Sequence, residues 1–268
     1  MLKDITLGQY FPGDTVAHRL DPRTKILLVV LYIAALFSAR SYLTYGIMIL
    51  CLALCVSVSK VRPRAMVRGL RPVLFIILFT AGINLLFTPG ERNLVEFGVI
   101  HISDTGVRTA VFMVLRILLL IMGTFLMTYT TSPISLTDAL ESLLNWMKRF
   151  HVPVHELAMM MSIALRFIPT LIEETDKILS AQKARGADLE SGNPVQRARA
   201  MLPILVPLFI SAIRRADELA TAMECRCYHG GEGRTRLHVL QYARRDYAAL
   251  TLGLCICTGV MVLGRMGM

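Results

Sequence analysis

No acidic residue or histidine occurs in any of the five long apolar runs of this chain of 268 residues. The runs lie at Ile26 to Ala39, Tyr45 to Val58, Val73 to Phe87, Val107 to Tyr129 and Tyr247 to Leu263. A carrier coupled to a proton or ion gradient usually needs an Asp, Glu or His within the membrane, where such groups are too costly to be incidental. Their absence argues against an ion-coupled carrier. A Walker nucleotide-binding sequence is missing too: "GGEGRTR", Gly230 to Arg236, is rich in glycine, but it lacks a preceding strand and a following Lys-Ser/Thr pair. It reads as a turn. Charge is scarce, at 18% of residues with a mean hydropathy of +0.56, which leaves too little polar surface to coat a soluble globule. The opening Met-Leu-Lys-Asp is not read as a signal peptide, because no apolar stretch of the ~7–15 residues that define one follows before Pro12. The six cysteines, at 51, 55, 225, 227, 255 and 257, sit in apolar runs or in a segment read below as cytoplasmic. They are expected as free, buried thiols and not as a disulfide framework.

What remains is an integral membrane pattern. Each apolar run is near the ~20 residues that cross a ~30 Å hydrocarbon core, the first two needing tilt or help from their flanks. The net charge of +10 follows topology. "KVRPRAMVRGLR" carries Lys60, Arg62, Arg64, Arg68 and Arg71 without an acid, whereas Thr88 to Asp104 sets Glu91, Glu96 and Asp104 against Arg92 alone. The positive-inside rule places the first loop in the cytoplasm and the second outside. The N-terminus, with Arg19, Arg23 and Lys25, is then cytoplasmic, Thr130 to Arg245 is cytoplasmic, and the chain ends outside after a fifth span. Basic residues that follow topology, with no aromatic-interleaved patch, make a nucleic-acid role a poor alternative.

Asp21 before Pro22 is a good helix start: the carboxylate caps free N–H groups and the proline takes the first helical position. A catalytic role for His18 or Asp21 is the competing reading. Asn84 and Arg116 are the polar exceptions deep in the runs. Arg116, ~16 Å into its helix at 1.5 Å per residue, either faces neighbouring helices or contacts a second membrane protein. After Tyr129 the pattern becomes amphipathic. Ser135 starts a helix with a stripe of Leu136, Leu140, Leu143, Leu144, Met147 and Phe150, suited to an interface. Pro153 to Gly186 and Val195 to Tyr228, separated by "LESGNP", then read as long striped helices, the first roughly 50 Å in length. Bends are expected at Pro169, Pro203 and Pro207.

The two long helices repeat each other. A shift of 41 residues superimposes Asp176 on Asp217, Ala181 on Ala222, Ala184 on Cys225 and Arg185 on Arg226. A cation at a helix C-terminus complements the dipole by ~0.3–1 kcal/mol, and Gly186 reads as an ordinary stop. That accounts for either arginine alone. Duplication on two helices, with small neighbours (Ala184 and Gly186; Cys225 and Cys227), suggests instead that each guanidinium is a plug for a partner's acidic or carbonyl-lined pocket.

On "HRLDPRTK", "TYTTSPISLTDALESLL", "IALRFIPTLIEETDKILSAQKARGAD" and "RRADELATAMECRCYHGGEGRTR", the whole chain resembles the transmembrane, or T, component of energy-coupling factor transporters, the EcfT/CbiQ family. The resemblance implies an all-α integral membrane protein with about five transmembrane helices and a cytoplasmic platform of three amphipathic coupling helices. Residues 1–130 and 246–268 would form the membrane part and 131–245 the platform. It implies no enzyme activity and no cofactor on this chain, ATP and Mg being held by two partner ABC ATPase subunits, a heterodimer expected. The long helices of the family cross as an X, and their arginine signatures dock into the ATPases. Here these are Ala184, Arg185 and Gly186, then Cys225, Arg226 and Cys227, the second departing from the pattern on both flanks. A membrane-embedded substrate-binding S component and membrane lipids complete the expected partners. The function implied is vitamin uptake across the cell membrane, with cobalt or nickel import as the alternative.

Three competing readings remain. Cys225, Cys227 and His229 could be metal ligands, although residues two apart on a helix point ~200° apart. A membrane-embedded enzyme would have to use His151, His155 and Glu156, which share a face only if their helix starts before Pro153. A scaffold without transport would keep its function on losing the arginines.

Overall fold

The computed structural model describes residues 10–87, 93–97, 100–187, 193–230 and 239–265. Eight helices dominate: α1 Pro22–Ser38, α2 Tyr42–Ser59, α3 Pro63–Phe87, α4 Asp104–Thr130, α5 Pro133–Leu144, α6 Val154–Ala184, α7 Pro194–Glu224 and α8 Arg244–Arg265. A short antiparallel ribbon, β1 Asn93–Phe97 with β2 Ile100–Ser103, joins α3 to α4, and its register shifts between Asn93 and Val95. The chain forms two compact units. One comprises Gly8–Leu136 and Leu240–Met268, and the other contains Thr137–Val239.

In the first unit the contacts fix the direction of every helix. α1 and α8 run together: Cys257 donates to the Leu31 carbonyl at 3.4 Å, and Gly264 lies so close to the Ser38 carbonyl that a Cβ would clash. α4 runs the opposite way, its Thr130 carbonyl accepting from Lys25 Nζ at 2.8 Å and its Leu119 carbonyl accepting from the Tyr32 hydroxyl at 2.9 Å. α2 runs with α4, stacking Tyr45 on Phe112 at 5.0 Å, and α3 runs against it, placing Gly69 under the Phe125 ring. The alternation α1 up, α2 down, α3 up, α4 down, α8 up is that of a bundle crossed five times. Leu36, Tyr45, Met48, Leu119 and Val260 fill its core, while Leu50, Leu54, Phe75, Phe79 and Leu252 are exposed around it. A protein with this much apolar surface facing outward is a membrane protein.

Among the described residues six helices are long and apolar enough to cross a membrane: α2, α3, α4, α6, α7 and α8. α1 has 17 residues, about 25 Å of helix, and suits a thin or tilted crossing. By length and composition alone α6 and α7 join the set, although their striped pattern is that of interfacial helices. Two boundaries differ from the sequence reading. The basic stretch 62–71 is mostly the start of α3, because Pro63 is preorganised for the first helical position and no breaker follows. α5 starts a turn early: Ser132 Oγ, not Ser135, caps it by accepting from the Ser135 amide at 3.2 Å.

The starts of α1 and α8 are tied by one carboxylate. Asp246 is 1% exposed; its Oδ1 accepts from the Asp21 amide and its Oδ2 from the Ala243 amide, each at 2.8 Å. Asp21 in turn caps α1 by accepting from the Arg23 amide at 2.9 Å and pairs with the Arg23 guanidinium at 2.9 Å. Arg23 also lies over the Tyr242 ring, 4.1 Å from its centre. With Lys25 the cluster holds two carboxylates and two cations, so its charges balance within the fold. Asp246→Ala would leave the buried Asp21 amide and the part-buried Ala243 amide without acceptors, at a cost of about 2–5 kcal/mol. Thermal unfolding of the purified chain in detergent is expected to show a clear fall in midpoint, with Asp246→Asn intermediate; an unchanged midpoint would refute the role given to this carboxylate.

Candidate functional site

The second unit is built on α6 and α7, which run antiparallel along their contact. Gln182 Nε2 donates to the Pro203 carbonyl at 3.4 Å, Ser211 bonds Glu174, and Arg215 pairs with Glu174 at 2.8 Å and lies over Phe167 at 5.8 Å. Ascending positions on α6 thus meet descending ones on α7. Pro169, Pro203 and Pro207 all lie inside their helices without ending them.

Both helices close in the same way. At the end of α6 the Ala187 amide donates to the Gln182 carbonyl and the Gly186 amide to the Lys183 carbonyl, each at 3.0 Å, with Gly186 at φ +83°. At the end of α7 the Tyr228 amide donates to the Met223 carbonyl at 3.1 Å and the Cys227 amide to the Glu224 carbonyl at 2.8 Å, with Cys227 at φ +56°. Each is a Schellman closure, in which a left-handed residue turns two amides back onto the free carbonyls of the last turn. Arg185 and Arg226 hold equivalent places, immediately before the left-handed residue. Both are exposed, and neither side chain makes a hydrogen bond or ion pair among the described residues. Ala184, Cys225 and Cys227 are exposed beside them, and the shared geometry survives the loss of glycine in the second copy.

The antiparallel contact sends the two arginines to opposite ends of the helix pair. Arg226 lines a cleft together with Arg166, whereas Arg185 lies some twenty residues beyond Arg166 along α6, so the ends are roughly 30 Å apart. Beside Arg226 a cleft of about 670 Å³ is lined by Ser162, Arg166, Leu219, Met223, Tyr228 and His229. Two arginines therefore share its rim, an arrangement that attracts a carboxylate or a carbonyl-rich surface. Sequence reasoning missed Arg166; the antiparallel register that brings it to Arg226 has no local signature.

The competing sites are resolved into structural roles. His18 is satisfied by Thr15 Oγ1 at 2.6 Å and the Phe11 carbonyl at 3.0 Å, and Asp21 is a helix cap. Asn84 donates to the Thr80 carbonyl at 2.9 Å and contacts Met113 sulfur at 3.0 Å. Arg116 turns inward, to Tyr45 Oη and the Ala39 carbonyl at 3.1 Å each, which favours helix packing over contact with a second membrane protein. α6 starts at Val154, so His151 precedes it with a left-handed backbone, while His155 bonds Glu141 at 2.9 Å; the histidines share no helical face. Among the described residues no three His, Cys, Asp or Glu side chains group closely enough to hold a metal, Cys225, Cys227 and His229 included. "GGEGRTR" lies outside the described residues beyond Gly230.

An all-α, multi-pass bundle and two long antiparallel helices with matched arginine ends define an integral membrane protein. Comparison with known proteins agrees. Residues 13–237 match the CbiQ family, described as cobalt transport protein. The chain is 55% identical over 246 residues to the energy-coupling factor transporter transmembrane protein EcfT of Acidaminococcus fermentans, covering 92% of this chain and 91% of that one. It is 51% identical to the protein of the same name from Clostridium kluyveri, over 97% of both chains, and 46% identical to that of Listeria innocua, over 97% and 98%. The chain belongs to the EcfT/CbiQ family of energy-coupling factor transporter transmembrane proteins.

The two left-handed residues predict opposite effects of exchange. A side chain in this conformation costs roughly 1 kcal/mol that glycine avoids. Cys227→Gly should raise the thermal midpoint slightly and Gly186→Ala should lower it by a similar amount, as measured by melting of the purified chain.

Proposed function

We propose that this chain is the energy-transducing membrane subunit of an ABC-type importer, and that Arg185 and Arg226 each plug into one of two partner ATPase subunits. The observation that carries this reading is the pair of matched closures: two exposed arginines, unpartnered among the described residues, at the same point of two identical backbone turns. A cap for the helix dipole alone needs neither duplication nor small neighbours on both sides. ATP and Mg would reside on the ATPases, and the work of this chain would be mechanical. Closure of the ATPases moves the arginine ends, and α6 and α7, clasped by Glu174, Ser211 and Arg215, pass the motion on as a unit.

The receiver of that motion would be a membrane-embedded substrate-binding S component. Its seat is the apolar stripe that the α6–α7 contact leaves uncovered, including Met160, Met161, Leu202, Leu205, Phe209 and Ile213, all exposed. The orientation follows the basic residues. Lys60, Arg62, Arg64, Arg68 and Arg71 lie at the same end of the bundle as Lys25 and Thr130, and that end is cytoplasmic by the positive-inside rule. The long helices then belong to the cytoplasmic side, with α1, α2, α3, α4 and α8 as the five spans of a cell-membrane protein. Vitamins are the cargo class this reading favours; the description of the matched family as cobalt transport protein supports cobalt or nickel as the second.

The test is co-purification of the ATPases with Arg185→Glu, Arg226→Glu and the double variant, alongside uptake. Each single reversal should weaken recovery about tenfold or more, since a charged hydrogen-bonded contact is worth ~1.5–3 kcal/mol, and the double reversal should abolish it. Undiminished recovery and uptake from the double variant would instead favour a scaffold. Breaking the clasp should act differently. Glu174→Ala is expected to leave ATPase recovery intact and to lower uptake per ATP hydrolysed, measured in proteoliposomes.

A further inference from the structure

Along the wall between α2 and α4 the membrane unit carries a groove of about 720 Å³. Ile49, Leu52 and Val56 line it from α2, and Leu115, Leu119 and Met122 line it from α4. The lining is apolar until one end, where Ser57, Lys60 and Arg62 form the mouth. From Ile49 to Lys60 the helix climbs about 16 Å, close to half of a ~30 Å hydrocarbon layer. The groove thus has the depth of one leaflet, with its two cations at headgroup level.

The cations are set up in a way that helix capping alone does not require. Lys60 ends α2 with a left-handed backbone, φ +51°, a conformation that favours glycine. A cation at a helix C-terminus is favourable in itself, but this explains neither Arg62, in the linker beyond, nor the apolar slot leading to both. Both side chains are exposed and make no hydrogen bond or ion pair among the described residues, and no acid lines the groove.

We infer that this groove seats one acyl chain of an anionic phospholipid, whose phosphate is held between Lys60 and Arg62. Basic residues at a membrane surface attract anionic headgroups, and a guanidinium binds phosphate through paired N–H donors. A zwitterionic headgroup brings its own cation to the same place and is bound less well. The inference goes beyond the coupling role proposed above and depends only on the bundle being embedded in a membrane.

The test is native mass spectrometry of the full chain, released from detergent in the presence of equal phosphatidylglycerol and phosphatidylcholine. The wild-type chain is expected to retain phosphatidylglycerol in preference by about tenfold or more. Lys60→Gln with Arg62→Gln should bring the preference near unity. Arg68→Gln with Arg71→Gln, the same loss of charge outside the groove, should leave it. Ala53→Trp, which fills the slot from an exposed position on its lining, should strip bound lipid of either headgroup. Full preference in the Lys60/Arg62 variant, or equal loss in the Arg68/Arg71 variant, would overturn the inference. So would Ala53→Trp releasing a co-purified membrane protein while bound lipid stays unchanged, for the groove would then be a protein seat.

Discussion

The carboxylate of Asp246 accepts from two backbone amides that belong to the starts of different helices, and the membrane unit is organised around that sharing. A helix start exposes amides that need acceptors, and two starts that meet double the need. One buried acid answers both, and its charge is tolerated because Arg23 and Lys25 stand nearby with Asp21. The consequence is geometric as much as energetic. α1 and α8, 225 positions apart in sequence at this bond, are held level at one end, so their parallel packing through Leu28, Leu31 and Ser38 follows. Lys25 extends the tie to the end of α4 through the Thr130 carbonyl.

The other unit obeys a different logic. α6 and α7 bury little along their length, and a short polar clasp of Glu174, Ser211 and Arg215 joins them, with Gln182 bonding the Pro203 carbonyl further along. Part of that clasp is open to solvent, so each bond contributes modestly. The bundle is thus tied through buried bonds and the helix pair through partly exposed ones. The exposed apolar stripe along the pair includes Met160 and Met161, whose unbranched, polarizable side chains adapt to varied surfaces.

Much of this was legible in the sequence for identifiable reasons. Asp21-Pro22 announced the start of α1 because capping and proline chemistry are local. Gly186 announced its left-handed turn for the same reason. Cys227 did not, since nothing in a cysteine signals a positive φ; only the 41-residue repeat of the sequence implied that it would follow Gly186. The beginning of α3 was misplaced because hydropathy marks where a helix turns greasy, not where it begins. The Asp246 tie and the cleft that Arg166 shares with Arg226 were out of reach. Both depend on which helix lies beside which, information held in no single stretch of chain. The breaks before α7 and after Gly230, which the sequence reading also named, fall in part outside the described residues.

The exchange of Gly186 for Cys227 leaves the backbone of the two helix ends alike while making them chemically different. Two exposed thiols flank Arg226 and none flanks Arg185. The remaining cysteines lie in α2 and α8, within the lipid-facing bundle. A water-soluble thiol reagent would therefore mark one arginine tip and leave the other untouched, giving each end its own spectroscopic or cross-linking address in the unaltered chain.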